Sequence, residues 1–390
     1  MGDDPVGRAL TEVLNRAMRT PPGVVADYIP ELAGADIESF AISVSSVSGH
    51  VYSAGDNEAS FTIQSISKPF VYALVLSGMG VDRLHEHVGF EPSGEPFNAI
   101  SLDDHGRPAN PMINAGAIVT SALVAGTSVE ERFETIRGVM SAFAGRELVM
   151  DQKVYESESA TGDRNRALAY LTRATGRLPR DAENATDVYF RQCSLLVTTA
   201  DLAVMGATLA NGGTNPVTGF RVVEQQVARR TLSLMASCGM YDHAGEWAFR
   251  VGIPAKSGVS GGIVAVKPGQ FGIGVFSPGL DEAGNSSRGV AALSLLSDEF
   301  GLHLLEQPRS HVDPIVTTRR DSPSSVTIVL RGELAFVAVE HVIHEVQEIL
   351  ADADQPVTSV TLDMTSVTAV TPAAERMLEV AGTRAAAQGC

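Results

Sequence analysis

Ser65 and Lys68, in the stretch QSISKP, stand three residues apart, with Pro69 directly after the lysine. At the start of a helix this spacing puts hydroxyl and amine on one face, within contact of each other. The proline costs little there, because first-turn N–H groups have no intrahelical acceptor. A serine beside a lysine is a nucleophile beside a base, provided the amine can shed its proton. Burial, a neighbouring cation and the positive end of a helix all favour that loss. Residue usage sharpens the point. Lys and Arg together number 29, and the only lysines are Lys68, Lys153, Lys256 and Lys267. Arginine keeps its proton in a protein; lysine can lose it. Taken alone, the tetrad is equally compatible with a lysine snorkelling from a helix start.

A second scarce lysine, Lys256, opens the triplet KSG at 256–258. S-x-x-K followed much later by K-[ST]-G on a strand is the pattern of serine β-lactamases and penicillin-binding proteins. Either piece is weak by itself. Both together, in that order, favour a catalytic reading over a structural one.

The elements that must carry these residues are legible in outline. Residues 8–19 have apolar positions at helical spacing, and 40–47 alternate Phe40, Ile42 and Val44 as a half-buried strand that forms a hairpin with GHVYSAGD. The helix bearing Ser65 follows. From about 100 to 245 the pattern is mostly helical, broken by polar loops. Residues 252–280 alternate again around a Pro268-Gly269 turn, a hairpin signature, and a helix near 287–304 closes the unit. Strands from both ends of this segment flank a helical middle, so they can share one antiparallel sheet. The polar, Pro-containing residues 309–325 read as a linker. Residues 326–390 then alternate strand, helix, strand, helix, the pattern of a small α/β domain.

Composition removes several classes. A net charge of −17 and a pI near 4.9 leave no basic patch for nucleic acid or an anionic membrane. The N-terminus lacks an apolar signal core, and no apolar run reaches the roughly 18 residues of a membrane span. Cys193, Cys238 and Cys390 are scattered and odd in number, and the nine histidines form no metal-binding motif. The expectation is a reduced cytoplasmic protein without metal or cofactor.

Beyond the tetrads, the chain resembles the serine-dependent glutaminases, which have a β-lactamase-like fold. The resemblance runs from residue 20 to about 305. It includes VADYIPELA (25–33), QSISKP (64–69), NPMINAGAI (110–118), SESATGDRN (157–165), DVYFRQCS (187–194), SLMASCGMYD (233–242) and PAKSGVSGG (254–262). Several of these are irregular polar loops that packing alone would not dictate. It implies an α+β first domain over 1–308, hydrolysis of L-glutamine to L-glutamate and ammonia, and a homo-oligomer, dimer or tetramer. It implies Ser65 as nucleophile, Lys68 as base and the backbone N–H groups of Ser65 and Val259 as oxyanion hole. Tyr241 would relay a proton to the leaving ammonia. Glu158 would face the substrate α-ammonium, with Tyr28, Gln64, Asn114, Asn165 and Tyr189 completing the substrate contacts. Without the resemblance, the tyrosines would be read as core residues and the asparagines as turn or cap residues.

Residues 326–390 resemble a STAS domain, with VLRGEL and VTLDMTSV similar to its core strands. TPAA at 371–374 stands where signalling members carry a phosphorylatable tetrad, and the module reads as incomplete, with room for a protein partner. Two other functions stay open at this point. A β-lactamase or D,D-peptidase would use the same nucleophile, but the S-D-N element is missing. A non-catalytic STAS-type regulator would not need the set Ser65, Lys68, Glu158, Tyr241 and Val259.

Overall fold

The computed structural model describes residues 4–27, 29–94, 99, 102–306, 313–352 and 356–387. Tyr28 and Cys390 lie outside the described residues. Two compact units are present: residues 14–294 form one, and residues 1–13 together with 295–390 form the other.

The larger unit is built on a five-stranded antiparallel sheet from both ends of its sequence. β1 (Ala41–Ser46) and β2 (Val51–Gly55) form the first hairpin, as the alternation predicts. Two short strands, β3 (Phe61–Thr62) and β4 (Leu196–Val197), pair with each other outside this sheet. β5 (Ala255–Ser257), β6 (Gly262–Lys267) and β7 (Phe271–Phe276) complete it in the order β2-β1-β7-β6-β5. Ile42 is paired with Val275 and Val44 with Ile273, so the two halves of the sequence meet in the sheet centre.

β1 is buried on both faces rather than half-buried. Its polar alternates are small serines covered by the helix Thr199–Ala210, and the Ser43 hydroxyl bonds Thr199 Oγ1 at 2.7 Å. Glycines on β7 permit that approach: a Cβ at Gly272 would lie 2.2 Å from Ala203 O, and one at Gly274 2.1 Å from Thr199 O. The helices Lys68–Met79, Val129–Ala144 and Gln225–Cys238 contribute buried Phe70, Ile136, Met140, Phe143 and Met235 to one apolar cluster. A second cluster joins the helices Asn114–Leu123, Asp163–Ala174 and Ala182–Cys193.

The smaller unit holds β8 (Ile315–Ser322), β9 (Ser325–Leu334) and β10 (Ser359–Val370) in the order β10-β9-β8. β9 and β10 are parallel, as their connection through the helix Phe336–Ala351 requires, and the helix Pro372–Ala387 follows. Val326, Ile328, Leu330, Val339, Val342 and Met377 are among its buried residues. The segment 309–325 is not a plain linker. Residues 315–322 form β8, antiparallel to β9. β8 is an edge strand with almost every side chain exposed, so its polar composition carries no alternation; its backbone ladder to β9 and polar side-chain bonds such as Thr318 to Glu345 hold it. No helix among the described residues is long and apolar enough to cross a membrane.

Candidate active site

Ser65 does not sit in a regular α-helical turn. Gln64–Ser67 form a 3₁₀ turn that runs into the helix Lys68–Met79, with all four residues buried. In 3₁₀ geometry residues i and i+3 eclipse, which aligns Ser65 and Lys68 more closely than an α-turn would. The chain is clamped on arrival: β3 pairs with β4, and Ile63 N–H donates to Leu195 O at 2.8 Å. Gln64 then adopts φ +49°, a left-handed conformation that costs a non-glycine residue free energy. Ser67 Oγ donates to Gln64 O at 2.7 Å and itself accepts from Gln192 Nε2 at 3.0 Å, which holds the strained peptide in place.

Lys68 is 1 % exposed. Its amine donates to Asn114 Oδ1 at 2.7 Å, and Tyr189 Oη donates to the same oxygen at 3.3 Å. Asn114 Nδ2 donates to Asn165 Oδ1 at 3.0 Å, so the orientation of the Asn114 amide is fixed from both ends. Burial brings the Lys68 pKa down to about 8, against the opposing pull of Cys193 and Glu158. An amine in that range can be neutral near physiological pH, as a general base must be.

Among the described residues, Tyr241 is the second of two non-glycine residues with positive φ, at +59°. The helix Gln225–Cys238 ends at Gly239, where a Cβ would lie 1.7 Å from Ala255 O. Only a residue without a side chain lets this junction press against β5 and deliver Tyr241 to the site. The Ser65 hydroxyl donates to Tyr241 Oη, and Tyr241 Oη donates to Ser257 O at 3.0 Å. Burial pushes the Tyr241 phenol well up, so it stays protonated.

A cavity of about 360 Å³ opens over Ser65. Seven of the sequence-predicted residues line it: Gln64, Ser65, Asn114, Glu158, Asn165, Tyr189 and Val259. Lys68 and Tyr241 reach it through their bonds to Asn114 and Ser65, from fully buried positions. Glu158 lies at its wall, 8 % exposed, with its pKa raised to about 7 by burial; a hydrogen bond from Gln64 and the field of Lys68 pull the other way. Val259 follows Gly258 in the tight connection between β5 and β6.

Sequence reasoning did not single out Ile29, Thr161, Gly162 and Arg164, which also line the cavity. Arg164 matters most, because it adds a cation to a lining that also holds the carboxylate of Glu158. Its place inside SESATGDRN was the available signal. Cys193 and Cys238 are free and buried, as a packing role predicts. Cys193 is nevertheless beside the site, hydrogen-bonded with Tyr189 and Ser67, and burial together with Glu158 drives its thiol far up and keeps it unreactive.

The family model described as Glutaminase matches residues 23–305. A glutaminase of Corynebacterium glutamicum is 48% identical over 379 residues, which cover 96% of this chain and 90% of the relative. A glutaminase of Trichormus variabilis is 52% identical over 285 residues, covering 73% and 85% of the two chains. Among solved structures, Mglu in its native form superposes with a TM-score of 0.76 at 41% identity, covering 99% of this chain and 97% of that one. With the family model spanning most of the chain and close relatives matching almost end to end, this chain belongs to the Glutaminase family.

Proposed function

We propose that the protein hydrolyses L-glutamine to L-glutamate and ammonia through an acyl-enzyme on Ser65. The observation that carries this reading is the cavity itself: its lining brings together the buried Ser65, the charge-bearing Glu158 and Arg164, and Asn114, which accepts from the buried, deprotonatable Lys68. Glu158 suits an α-ammonium and Arg164 an α-carboxylate, so the pocket fits a zwitterionic amino acid rather than a β-lactam or a peptide chain.

In the first half-reaction Ser65 Oγ bonds to the carboxamide carbon while its proton passes to the neutral Lys68 amine. The bond between Lys68 and Asn114 leaves the amine two further positions, one of them its lone pair. Catalytic hydrogen bonds commonly tighten only with substrate bound. The oxyanion is received by the N–H groups of Ser65 and Val259. Collapse breaks the C–N bond, and the departing nitrogen takes the proton that Lys68 received, relayed through Tyr241, which returns the amine to its neutral form and leaves an ester on Ser65. Tyr241 is too weakly acidic to act as a phenolate base, which leaves that part to Lys68. Water then attacks the ester with Lys68 again as base, releasing glutamate and restoring Ser65.

Residues 326–390 we read as a STAS-like module, supported by the parallel pair β9 and β10 with its two helices, to which β8 adds a third strand from the preceding segment. The working protein is taken to be a cytoplasmic homo-oligomer, an extension from the family resemblance. The decisive experiment measures ammonia release from L-glutamine, D-glutamine and L-asparagine alongside hydrolysis of a chromogenic β-lactam. Turnover of L-glutamine that disappears in Ser65→Ala supports the reading; β-lactam hydrolysis without glutamine turnover overturns it.

A further inference from the structure

The second scarce lysine has no part in the chemistry above, yet it is fully buried in β5 immediately behind the site. Lys256 Nζ donates to Ser257 O at 2.8 Å. Tyr241 Oη donates to that same oxygen at 3.0 Å. The lysine nitrogen also lies 4.0 Å from the centroid of the Tyr241 ring, on its face. One amine thus touches both the ring of Tyr241 and the carbonyl that anchors its hydroxyl.

Tyr241 needs such support. It sits at positive φ, in a short 3₁₀ turn (Tyr241–His243) where little helical structure steadies it. Strain of this kind persists only where the surroundings over-determine it. From this geometry we infer that Lys256 is a positioning residue: it holds the Tyr241 ring and hydroxyl in the orientation that receives the Ser65 hydroxyl. It touches neither substrate nor cavity, since it is absent from the cavity wall. Burial and the nearby Lys68 both push the Lys256 amine toward its neutral form. A neutral amine still donates to Ser257 O, so the anchor does not depend on the charge, while a cation would add attraction to the ring face.

This inference rests on the glutaminase reading, and the test separates the two. Wild-type, Lys256→Met, Tyr241→Phe and the double variant are compared in glutamine hydrolysis. Misplacing a catalytic group by about an ångström can cost on the order of 10²-fold in rate. Lys256→Met should therefore lower kcat roughly 10- to 100-fold while KM stays within about twofold, because the substrate contacts are untouched. In the Tyr241→Phe background, which has no hydroxyl to position, the same change should lower kcat by less than about threefold. Lys256→Gln, whose amide keeps an N–H donor for Ser257 O, should recover part of the lost kcat. It carries the same cycle if the methionine variant does not fold. Equal losses with and without the Tyr241 hydroxyl would overturn the inference, as would a rise in KM at unchanged kcat. An inactive wild-type protein would instead overturn the glutaminase reading.

Discussion

Replacing Glu158 by Gln removes a charge from the cavity wall while keeping its shape, and the structure gives the loss a distinct pH signature. With the carboxyl raised to about 7, the free enzyme has Glu158 roughly nine-tenths ionised at pH 8 and one-tenth ionised at pH 6. A charge-assisted hydrogen bond to the α-ammonium is worth about 1.5–3 kcal/mol. At pH 8 the substitution should therefore lower kcat/KM by roughly 10- to 150-fold, mostly through KM. At pH 6 most wild-type molecules already carry the neutral acid. The ratio of wild-type to Glu158→Gln kcat/KM should then be about tenfold smaller than at pH 8. Other titrations, including that of Lys68, affect both proteins and largely cancel in the ratio. The assay is initial-rate ammonia release across pH 6–8, paired with acylation of Ser65 by a small electrophile lacking an amino group. A ratio that does not change with pH, or an equal loss toward the electrophile, would show that Glu158 holds the site together rather than recognising the ammonium.

Lys68→Arg keeps the cation but cannot act as base, so turnover should fall on the order of 10²–10⁴-fold with a near-native melting curve; a surviving tenth of the wild-type rate would exclude Lys68 as base. Glu158 also sets a stability profile: its folded pKa, about 7, lies above the 4.5 of an unperturbed glutamate, so its stabilising contribution is complete below about pH 4.5 and is lost as pH rises through 7. Denaturant unfolding should therefore show Glu158→Gln gaining about 3 kcal/mol relative to wild type between pH 4 and pH 8, and a constant difference would rule out the raised pKa. Gly239→Ala puts a methyl where Ala255 O already lies, so kcat should fall together with the melting temperature; an unchanged kcat would mean that this junction does not position Tyr241. Removing residues 310–390 should leave the cavity intact, because its residues all belong to the 14–294 unit. The remainder of the smaller unit includes Val6 and Leu10, almost completely buried in the full chain, so light scattering should report association even where ammonia release persists.

The Ser65–Lys68 pair could be read directly from the sequence because its spacing is local: three residues apart is one face in either helical geometry, and a 3₁₀ turn only tightens it. The sheet was equally legible, since alternation in 40–47 and 252–280 marks strands and nothing between them competes for the centre. Asn114, Glu158, Asn165 and Tyr189 were reachable only through the family resemblance. They arrive on separate helices, and the bonds that make them one site join positions as far apart as Lys68 and Asn114, or Asn114 and Tyr189. No local pattern encodes such a meeting. β8 failed differently: an exposed edge strand is held by backbone bonds, to which hydrophobic patterning is blind. The least legible features are the left-handed conformations of Gln64 and Tyr241. Glycine or asparagine would have advertised them, but the residue types are dictated by what the side chains do in the cavity wall, for Gln64, and against Ser65, for Tyr241, and the conformational cost falls on the surroundings. Ser67 and Gln192 carry that cost for Gln64. Gly239 and Lys256 occupy the corresponding places around Tyr241, which is why a lysine outside the cavity in an arginine-rich chain makes physical sense.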